Sequence, residues 1–165
     1  MNPLFAPLLD LAEAVAWREG LRAEKRSVVF TNGCFDLLHA GHVEYLAWAR
    51  SQGDALIVGL NRDESVRRLK GAARPLVPFE ARARVLRALR SVDAVVGFEE
   101  STPELVLDRI RPDVHVKSDQ YREDELPERT VVRQHGGRIA LAPHLAGAST
   151  TDLIGRILNA YSSHG

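Results

Sequence analysis

The chain has 165 residues, of which 45% are hydrophobic and 27% are charged, and this composition predicts one soluble domain with its own core. Its 22 Lys and Arg residues balance 22 Asp and Glu residues, so no overall charge attracts a nucleic acid or an anionic membrane. The single cysteine, Cys34, excludes an internal disulfide and a cysteine-rich zinc cluster and is typical of a reducing compartment. We therefore expect a cytoplasmic protein without nucleic-acid or membrane partners, in which any anion site is local.

The first predicted element is an amphipathic helix. Between Leu4 and Arg22, apolar residues recur at helical spacing with charged residues between them. The segment contains acidic residues, lacks a basic start and is too short to span a bilayer, so it does not resemble a signal peptide or a membrane anchor. We assign residues 1–24 to this helix, packed on the domain, and residues 25–165 to the domain itself.

Five short apolar runs follow, and helical patterns separate them. The runs are typical of strands that are buried on both faces of a parallel sheet. They lie in residues 27–31, 55–60, 93–98, 113–117 and 138–142. A last helix is predicted from Thr150. This alternation predicts a single Rossmann-like α/β domain, with a doubly wound parallel sheet of about five strands and helices on both faces.

The loop after the first of these strands is the clearest candidate for chemistry. It reads TNGCFDLLHAGH over residues 31–42, and ligands of open α/β sheets bind at the carboxyl ends of strands. Gly33 and Gly41 let the backbone turn tightly near a ligand, and the next helix offers free amides and a positive dipole end to an anion. His39 and His42 beside those amides would complete a phosphate clamp.

Other interpretations of the two histidines are weaker. A zinc site needs three or four ligands, and Cys34 has no spaced partner to complete one. A structural loop whose histidines cap the helix suits an isolated pair, but the position after the first strand favours a function. The chain has no GxGxxG after this strand and no GxxxxGK[ST], so it lacks the motifs of a nicotinamide-type dinucleotide site and of a P-loop.

The loop also resembles a known signature. Residues 33–36, GCFD, and residues 39–42, HAGH, are similar to the GxFDxxHxGH motif of the cytidylyltransferase-like nucleotidyltransferases. Residues 147–151, GASTT, resemble the second, Ser/Thr-rich nucleotide motif of that family, and the resemblance covers residues 25–158. It implies transfer of a nucleotidyl group from a nucleoside triphosphate to a phosphorylated acceptor, with release of pyrophosphate.

Within this family, the chain looks most like the adenylyltransferases of ADP-heptose synthesis, which supply a lipopolysaccharide precursor. The similar segments are residues 29–33, 59–63, 68–71, 74–75 and 149–151. The resemblance implies transfer of AMP from ATP to D-glycero-β-D-manno-heptose 1-phosphate. In many bacteria this activity is fused behind a sugar kinase, and from the length of the chain we expect the stand-alone adenylyltransferase.

One segment departs from the subfamily pattern and leaves the acceptor open. Where the subfamily has KGGDY, this chain has KSDQY at residues 117–121. The side chains that replace the two glycines would narrow the pocket or change its charge. One alternative is a relative that uses glycerol 3-phosphate, phosphoethanolamine, phosphopantetheine or FMN, with CTP or ATP as donor. Another is a non-catalytic nucleotide-binding module.

The resemblance implies a set of site residues. His39 and His42 would donate to the α- and β-phosphates, and two lysines would add positive charge. The expected catalytic residues are therefore His39, His42, Lys70 and Lys117. The expected nucleotide contacts are Thr31, Asn32, Gly33, Cys34, Phe35, His39, Gly41, His42, Gly147, Ser149, Thr150 and Thr151. The expected acceptor contacts are Asp36, Asn61, Asp63, Arg74 and Tyr121.

Structural roles compete at several of these positions. Residues 149–151 also suit an ordinary helix N-cap, Asp63 suits a cap of the next helix, and the loop that carries Lys70 and Arg74 suits a solvated basic surface. Most arginines of the predicted helix in residues 79–90 are expected to be solvated. His115 and Tyr45 are expected to pack rather than bind.

Two further expectations concern what the protein binds. Mg²⁺ would arrive with ATP, held by phosphates and waters, without a dedicated set of protein ligands. Members of the family are often dimers or larger, so a homodimer or higher homo-oligomer is expected, although the sequence does not fix it.

Overall fold

The computed structural model describes residues 4–144 and 149–162. Within them a parallel sheet has the strand order β1-β4-β3-β2-β5-β6. The strands are β1 (Leu8–Leu9), β2 (Val28–Gly33), β3 (Ala55–Asn61), β4 (Ala94–Phe98), β5 (Val114–Ser118) and β6 (Arg138–Ala142). The helices are α1 (Leu11–Ala23), α2 (Ala40–Arg50), α3 (Asp63–Lys70), α4 (Phe79–Arg87), α5 (Glu104–Ile110), α6 (Arg129–Gln134) and α7 (Thr150–Ser162), with a 3-10 turn at Glu123–Glu125. The predicted doubly wound α/β fold is confirmed.

The strands are apolar along their length because helices cover both faces of the sheet. Successive strand residues point to opposite faces, so Val28 and Phe30 join one core cluster while Val29 joins the other. The first cluster lies under α1, α5 and α6, and the second lies under α2 and α4. This arrangement explains why the sequence shows continuous apolar runs instead of polar alternation.

The strand order reverses at β2, and this reversal positions the site. β3 and β4 lie on one side of β2, whereas β5 and β6 lie on the other. The loops that leave β2 and β5 therefore diverge and leave a crevice at the carboxyl edge of the sheet, where ligands of such folds bind.

The N-terminal segment differs from its prediction. The helix begins at Leu11, not near Leu4, because Asp10 caps it: the Asp10 carboxylate accepts from the Glu13 amide at 2.8 Å, and the Glu13 carboxylate accepts from the Asp10 amide at 2.8 Å. The residues before this cap form β1, which pairs with β4 and brings the sheet to six strands, one more than predicted. The division of the chain at residue 24 stays a prediction.

The last helix, α7, lies at the surface and contains no buried residue. Its side chains Leu158 and Tyr161 are exposed. In the described ranges of the chain, no helix combines the length and the apolar character needed to cross a lipid bilayer.

Candidate active site

A cleft of about 690 Å³ opens at the carboxyl edge of the sheet. It is bordered by the histidine loop (residues 31–42), the end of α3 with the loop that follows it, the end of β5 and the start of α7. The expected site residues that line it are Asn32, Gly33, Cys34, Phe35, Asp36, His39, Gly41, His42, Asn61, Lys70, Arg74, Lys117, Tyr121, Ser149, Thr150 and Thr151. Gly147 lies outside the described residues. The fold thus brings together residues that are more than a hundred positions apart.

Two of the expected residues do not line the cleft. Thr31 is fully buried below it, where its hydroxyl, the hydroxyl of Tyr45 and the carbonyl oxygen of Val116 lie within 3.0 Å of one another. Asp63 is the first residue of α3, but its side chain makes no cap, and it pairs instead with Arg82 at 2.6 Å. The expectation that Asp63 caps this helix is wrong, because a buried guanidinium takes its carboxylate.

His39 and His42 form a stacked pair at the start of α2. His39 is the N-cap residue with extended backbone, and the two ring centroids are 3.9 Å apart. Phe35 adopts a φ of 44°, in the left-handed region, and its ring lies 5.3 Å from that of His42. Nδ1 of each histidine is buried and makes no well-formed hydrogen bond with the described residues, although the Leu37 backbone lies close enough to the His42 ring to oppose the lowering of its pKa. A hydrogen bond from either ring to a ligand must therefore come from Nε2.

The pair is uncharged at neutral pH. Burial lowers the pKa of His39. Burial and the neighbouring His39 together lower the pKa of His42 to about 4. A neutral imidazole with a covered Nδ1 can present one N–H from Nε2. This arrangement suits donation to a phosphate oxygen.

Asp36 anchors a neighbouring loop. Its buried carboxylate accepts from the amides of Leu76 at 2.9 Å and Val77 at 2.8 Å, and from Nε of Arg74 at 2.5 Å. Burial tends to raise the pKa of Asp36, but these three hydrogen bonds outweigh it and lower the pKa below its ordinary value. Because these contacts involve both oxygens, Asp36 holds Arg74 at the cleft.

Arg82 is the main feature that sequence reasoning missed. The expectation of a solvated side chain is wrong for this residue, which is 1% exposed. Its guanidinium donates to the carbonyl oxygens of Cys34 at 2.6 Å, Asn61 at 2.9 Å and Val77 at 2.9 Å, and it also pairs with Asp63. Arg82 thereby ties the ends of β2 and β3 to the loop that follows α3. No local signal predicts this role, because its partners lie up to 48 positions away.

Asn61 and Lys70 both line the cleft, but the Asn61 side chain is held by hydrogen bonds and the Lys70 side chain is exposed. The Asn61 amide donates to the Ser65 hydroxyl at 2.8 Å and to the Glu100 carbonyl oxygen at 3.3 Å, and the side chain is buried. Lys70 ends α3, is exposed, and has no carboxylate partner in the described part of the chain. Lys70 is therefore an exposed cation at the rim, whereas hydrogen bonds hold the Asn61 side chain in place.

On the opposite side, Lys117 is held by a residue that the sequence did not suggest. Its ammonium lies 3.0 Å from a carboxylate oxygen of Glu128 and 5.2 Å from the ring centroid of Tyr121. His115 lies beneath Glu128 and is fully buried, as expected for a core residue. Glu128 also lines the cleft, but it follows a polar stretch without any recognisable motif.

The start of α7 completes the cleft. The Ser149 hydroxyl accepts from the Asp152 amide at 3.0 Å, so the expected N-cap is present. The other amides of a helix's first turn have no acceptor within the helix, so an anion is favoured at this end. Among residues 4–144 and 149–162, no three His, Cys, Asp or Glu side chains gather as a metal site. The carboxylates of Asp36 and Glu128 are engaged by protein groups.

Comparison with known proteins agrees with this geometry. The sequence model of the cytidylyltransferase-like family matches residues 30–156. Bifunctional protein HldE of Geobacter sulfurreducens is 52% identical over 140 residues, which are 85% of this chain and 29% of that protein. Bifunctional protein HldE of Magnetococcus marinus is 53% identical over 135 residues, which are 82% of this chain and 28% of that protein. The chain thus spans less than a third of the length of these curated relatives.

Two solved structures share the fold. A lipopolysaccharide core biosynthesis protein from Thermoplasma volcanium superposes with a TM-score of 0.60 at 24% identity, over 73% of this chain and 97% of that one. A pantoate-beta-alanine ligase from Francisella tularensis superposes with a TM-score of 0.59 at 14% identity, over 97% of this chain and 80% of that one. At these identities the likeness concerns the fold alone. The match of the family model over most of the chain is decisive: the chain belongs to the cytidylyltransferase-like family and is a nucleotidyltransferase, as its GCFD and HAGH residues predicted.

Proposed function

We propose that this chain transfers AMP from ATP to D-glycero-β-D-manno-heptose 1-phosphate and releases pyrophosphate, which gives ADP-heptose. The observation that carries the proposal is the neutral His39–His42 pair, which lines one cleft with the start of α7. The relatives named HldE are bifunctional proteins, and this chain matches less than a third of their length. That supports the resemblance to an adenylyltransferase that is often fused behind a sugar kinase. The relatives do not favour another acceptor or a non-catalytic module.

The reaction requires positioning and charge stabilisation more than acid–base chemistry. An oxygen of the sugar phosphate attacks the α-phosphorus of ATP, the bond from the α-phosphorus to the bridging oxygen breaks, and that oxygen leaves with the pyrophosphate. Negative charge moves from the acceptor to the leaving group during this exchange. A site for this reaction must align the two substrates and provide donors where charge develops.

The residues of the cleft supply those donors. Nε2–H of His39 and of His42 would bond to α- and β-phosphate oxygens, a role that suits rings that are neutral at pH 7. The first-turn amides and hydroxyls of Ser149 and Thr150 would bind the β- and γ-phosphates. The cations Lys70, Arg74 and Lys117 line the same cleft and would offset the charge of the triphosphate and of the acceptor phosphate.

The donor would enter as the Mg²⁺ complex of ATP, with the ion held by phosphate oxygens and water. The metal offsets phosphate charge, and the chain contributes orientation around it. We place this step in the cytoplasm, where ATP is available and where a single free cysteine stays reduced. We also propose that the active protein is a homodimer or a larger homo-oligomer.

The experiment that tests the proposal is a pyrophosphate-release assay. The protein is incubated with Mg²⁺, with ATP or CTP, and with heptose 1-phosphate, glycerol 3-phosphate, phosphoethanolamine, phosphopantetheine or FMN as acceptor. We expect release only with ATP and the heptose phosphate. Release with another pair would replace the substrates proposed here, and no release with the heptose phosphate would reject it as the acceptor.

A further inference from the structure

Three side chains form a line of contacts that runs from the cleft into the core. Nζ of Lys117 lies 3.0 Å from Oε1 of Glu128, and the same oxygen lies 3.4 Å from Nε2 of His115. Nδ1 of His115 lies 3.3 Å from the carbonyl oxygen of Phe30 in β2. The exposed fractions of the side chains are 16% for Lys117, 3% for Glu128 and 0% for His115. The Lys117 side chain is the most exposed of the three, so its ammonium is the group best placed to meet a ligand in the cleft.

The charges within this line can be assigned from the chemistry of each group. Complete burial lowers the pKa of His115, so the ring is neutral and carries one N–H. Burial tends to raise the pKa of Glu128, but the His115 hydrogen bond and the Lys117 charge hold that pKa at about 2. The Glu128 carboxylate and the Phe30 carbonyl oxygen both accept only, so the neutral ring donates to one of them. The ionised carboxylate is the stronger acceptor, so Nε2 of His115 donates to it and Nδ1 makes no hydrogen bond to Phe30. One oxygen of Glu128 is therefore fixed by His115 on one side and by Lys117 on the other.

We propose that Glu128, oriented by His115, is a positioning residue that holds the Lys117 ammonium at the cleft wall to meet a phosphate oxygen of a substrate. The inference rests on the proposed function, which supplies that phosphate. A lysine side chain loses much rotational freedom when it binds, and a lysine already held in place loses less. Lys70 offers the contrast within the same cleft, since it is exposed and has no carboxylate partner among the described residues.

An alternative role for Glu128 predicts the opposite sign. A carboxylate beside a cation also offsets the charge that a phosphate would feel. If Glu128 served mainly as such a counter-charge, its removal would strengthen phosphate binding and raise kcat/KM. If it serves to position Lys117, its removal lowers kcat/KM even though the cleft becomes more positive. A charge-removing variant therefore distinguishes the two roles.

The first experiment compares Glu128→Gln with Glu125→Gln in the proposed reaction. Both changes remove one negative charge next to the cleft, but Glu125 is exposed and pairs with Arg122 at 3.6 Å, whereas Lys117 pairs with Glu128. We expect Glu128→Gln to lower kcat/KM about 10- to 100-fold, and Glu125→Gln to change it less than about twofold. Glu128→Asp keeps the charge on a shorter side chain and should recover part of the loss. An unchanged or higher kcat/KM for Glu128→Gln overturns the proposal.

A double-mutant cycle tests whether Glu128 acts through Lys117. Lys117→Met is measured with and without Glu128→Gln. If the carboxylate acts only by positioning the ammonium, Glu128→Gln causes almost no further loss of kcat/KM in the Lys117→Met background. Equal losses in both backgrounds would mean that Glu128 acts only through general stability, and the proposal would fail. Thermal unfolding of each variant shows whether the compared proteins are folded.

The same variants distinguish this inference from the proposed function. The dissociation constants of MgATP and of heptose 1-phosphate are measured by calorimetry beside the kinetic assay. If the wild-type protein releases no pyrophosphate, the proposed reaction fails, and the cycle is then evaluated on the two dissociation constants. Weaker binding of either ligand by Glu128→Gln, absent in the Lys117→Met background, would still support the positioning role. No change in either constant would reject it.

Discussion

Two regions of the cleft provide its phosphate-binding groups in different ways. The histidine loop carries its chemistry in one contiguous motif, with His39 and His42 three positions apart on the first turn of α2. On the opposite side of the cleft, the groups that hold Lys117 come from two places in the chain, β5 and the residue before α6. The histidine loop could be predicted from the sequence, whereas the contacts that hold Lys117 were found only in the structure.

This difference shows that a sequence motif does not identify the distant residues that position its side chains. Even the histidine loop depends on distant residues, because Arg82 holds the Cys34 carbonyl and Asp36 holds the loop that carries Arg74. A local signature therefore names the reacting groups, while buried ion pairs from elsewhere fix their positions. The following predictions test whether the two regions rely on such support to the same degree.

The largest effect is expected from Arg82→Met. This change removes the donor for three carbonyl oxygens and leaves the Asp63 carboxylate without its partner. We expect the free energy of unfolding to fall by about 3 kcal/mol or more, because buried groups lose their hydrogen bonds. Urea denaturation measures the change. Arg84→Met on the same helix is the matched control, and since Arg84 is exposed it should cost less than about 0.5 kcal/mol. Equal costs would mean that Arg82 does not support the histidine loop.

The next effect concerns the histidine loop itself. His39→Asn and His42→Asn each remove a donor that we place on the phosphates as charge develops, so kcat should fall about 10²- to 10³-fold. The dissociation constant of MgATP should change much less. His135→Asn is the control, because His135 pairs with Asp108 outside the cleft. A loss confined to ATP affinity would show that the pair binds the donor without assisting the transfer.

A smaller effect is expected in the pH dependence of stability. The pKa of His42 is about 4 in the folded protein and near 6.5 for an ordinary histidine. Between these values the unfolded chain binds the proton more readily, so stability is complete above about pH 6.5 and declines as the pH falls towards 4. Because the ring is partly exposed and solvent screens its charge, the free energy of unfolding should decline by on the order of 1 kcal/mol. Denaturation of the wild type and of His42→Asn at several pH values measures it, and an identical pH dependence would contradict the assigned shift.

The smallest effect concerns the start of α7, a contiguous motif at a helix N-terminus like the histidine loop. Ser149→Ala removes the cap that accepts from the Asp152 amide and should destabilise the helix by about 1 kcal/mol. The affinity for MgATP should weaken by only a few-fold, because the backbone amides remain. Ser149→Thr keeps the hydroxyl and serves as the control. A loss of affinity as large as that of kcat in the histidine variants would place the main triphosphate contact at Ser149.

The fold was predictable wherever apolar pattern and length agreed. Five strands follow from buried β-branched runs, but β1 was missed, because Leu8 and Leu9 also fit the helical spacing and only pairing with β4 makes them a strand. The capping box of Asp10 and Glu13 was a usable signal for the true helix start. At the site, the expected residues of the histidine loop line the cleft, except Thr31, whose side chain is buried in the core, and their roles as substrate contacts stay predictions. Glu128 carried no signal, since its partners come from β5.

The sequence by itself determined the α/β class, the position of the histidine loop after the first long strand, and the family to which the chain belongs, because these depend on local periodicity and on a contiguous motif. The tertiary structure decided which charged residues are buried and what they hold. A charge can be buried only where partners from other elements meet it, and those partners are separated along the chain. For that reason the roles of Arg82, Asp36 and Glu128 in fixing the loops and the lysine around the cleft could be recognised only once the fold had brought their partners together.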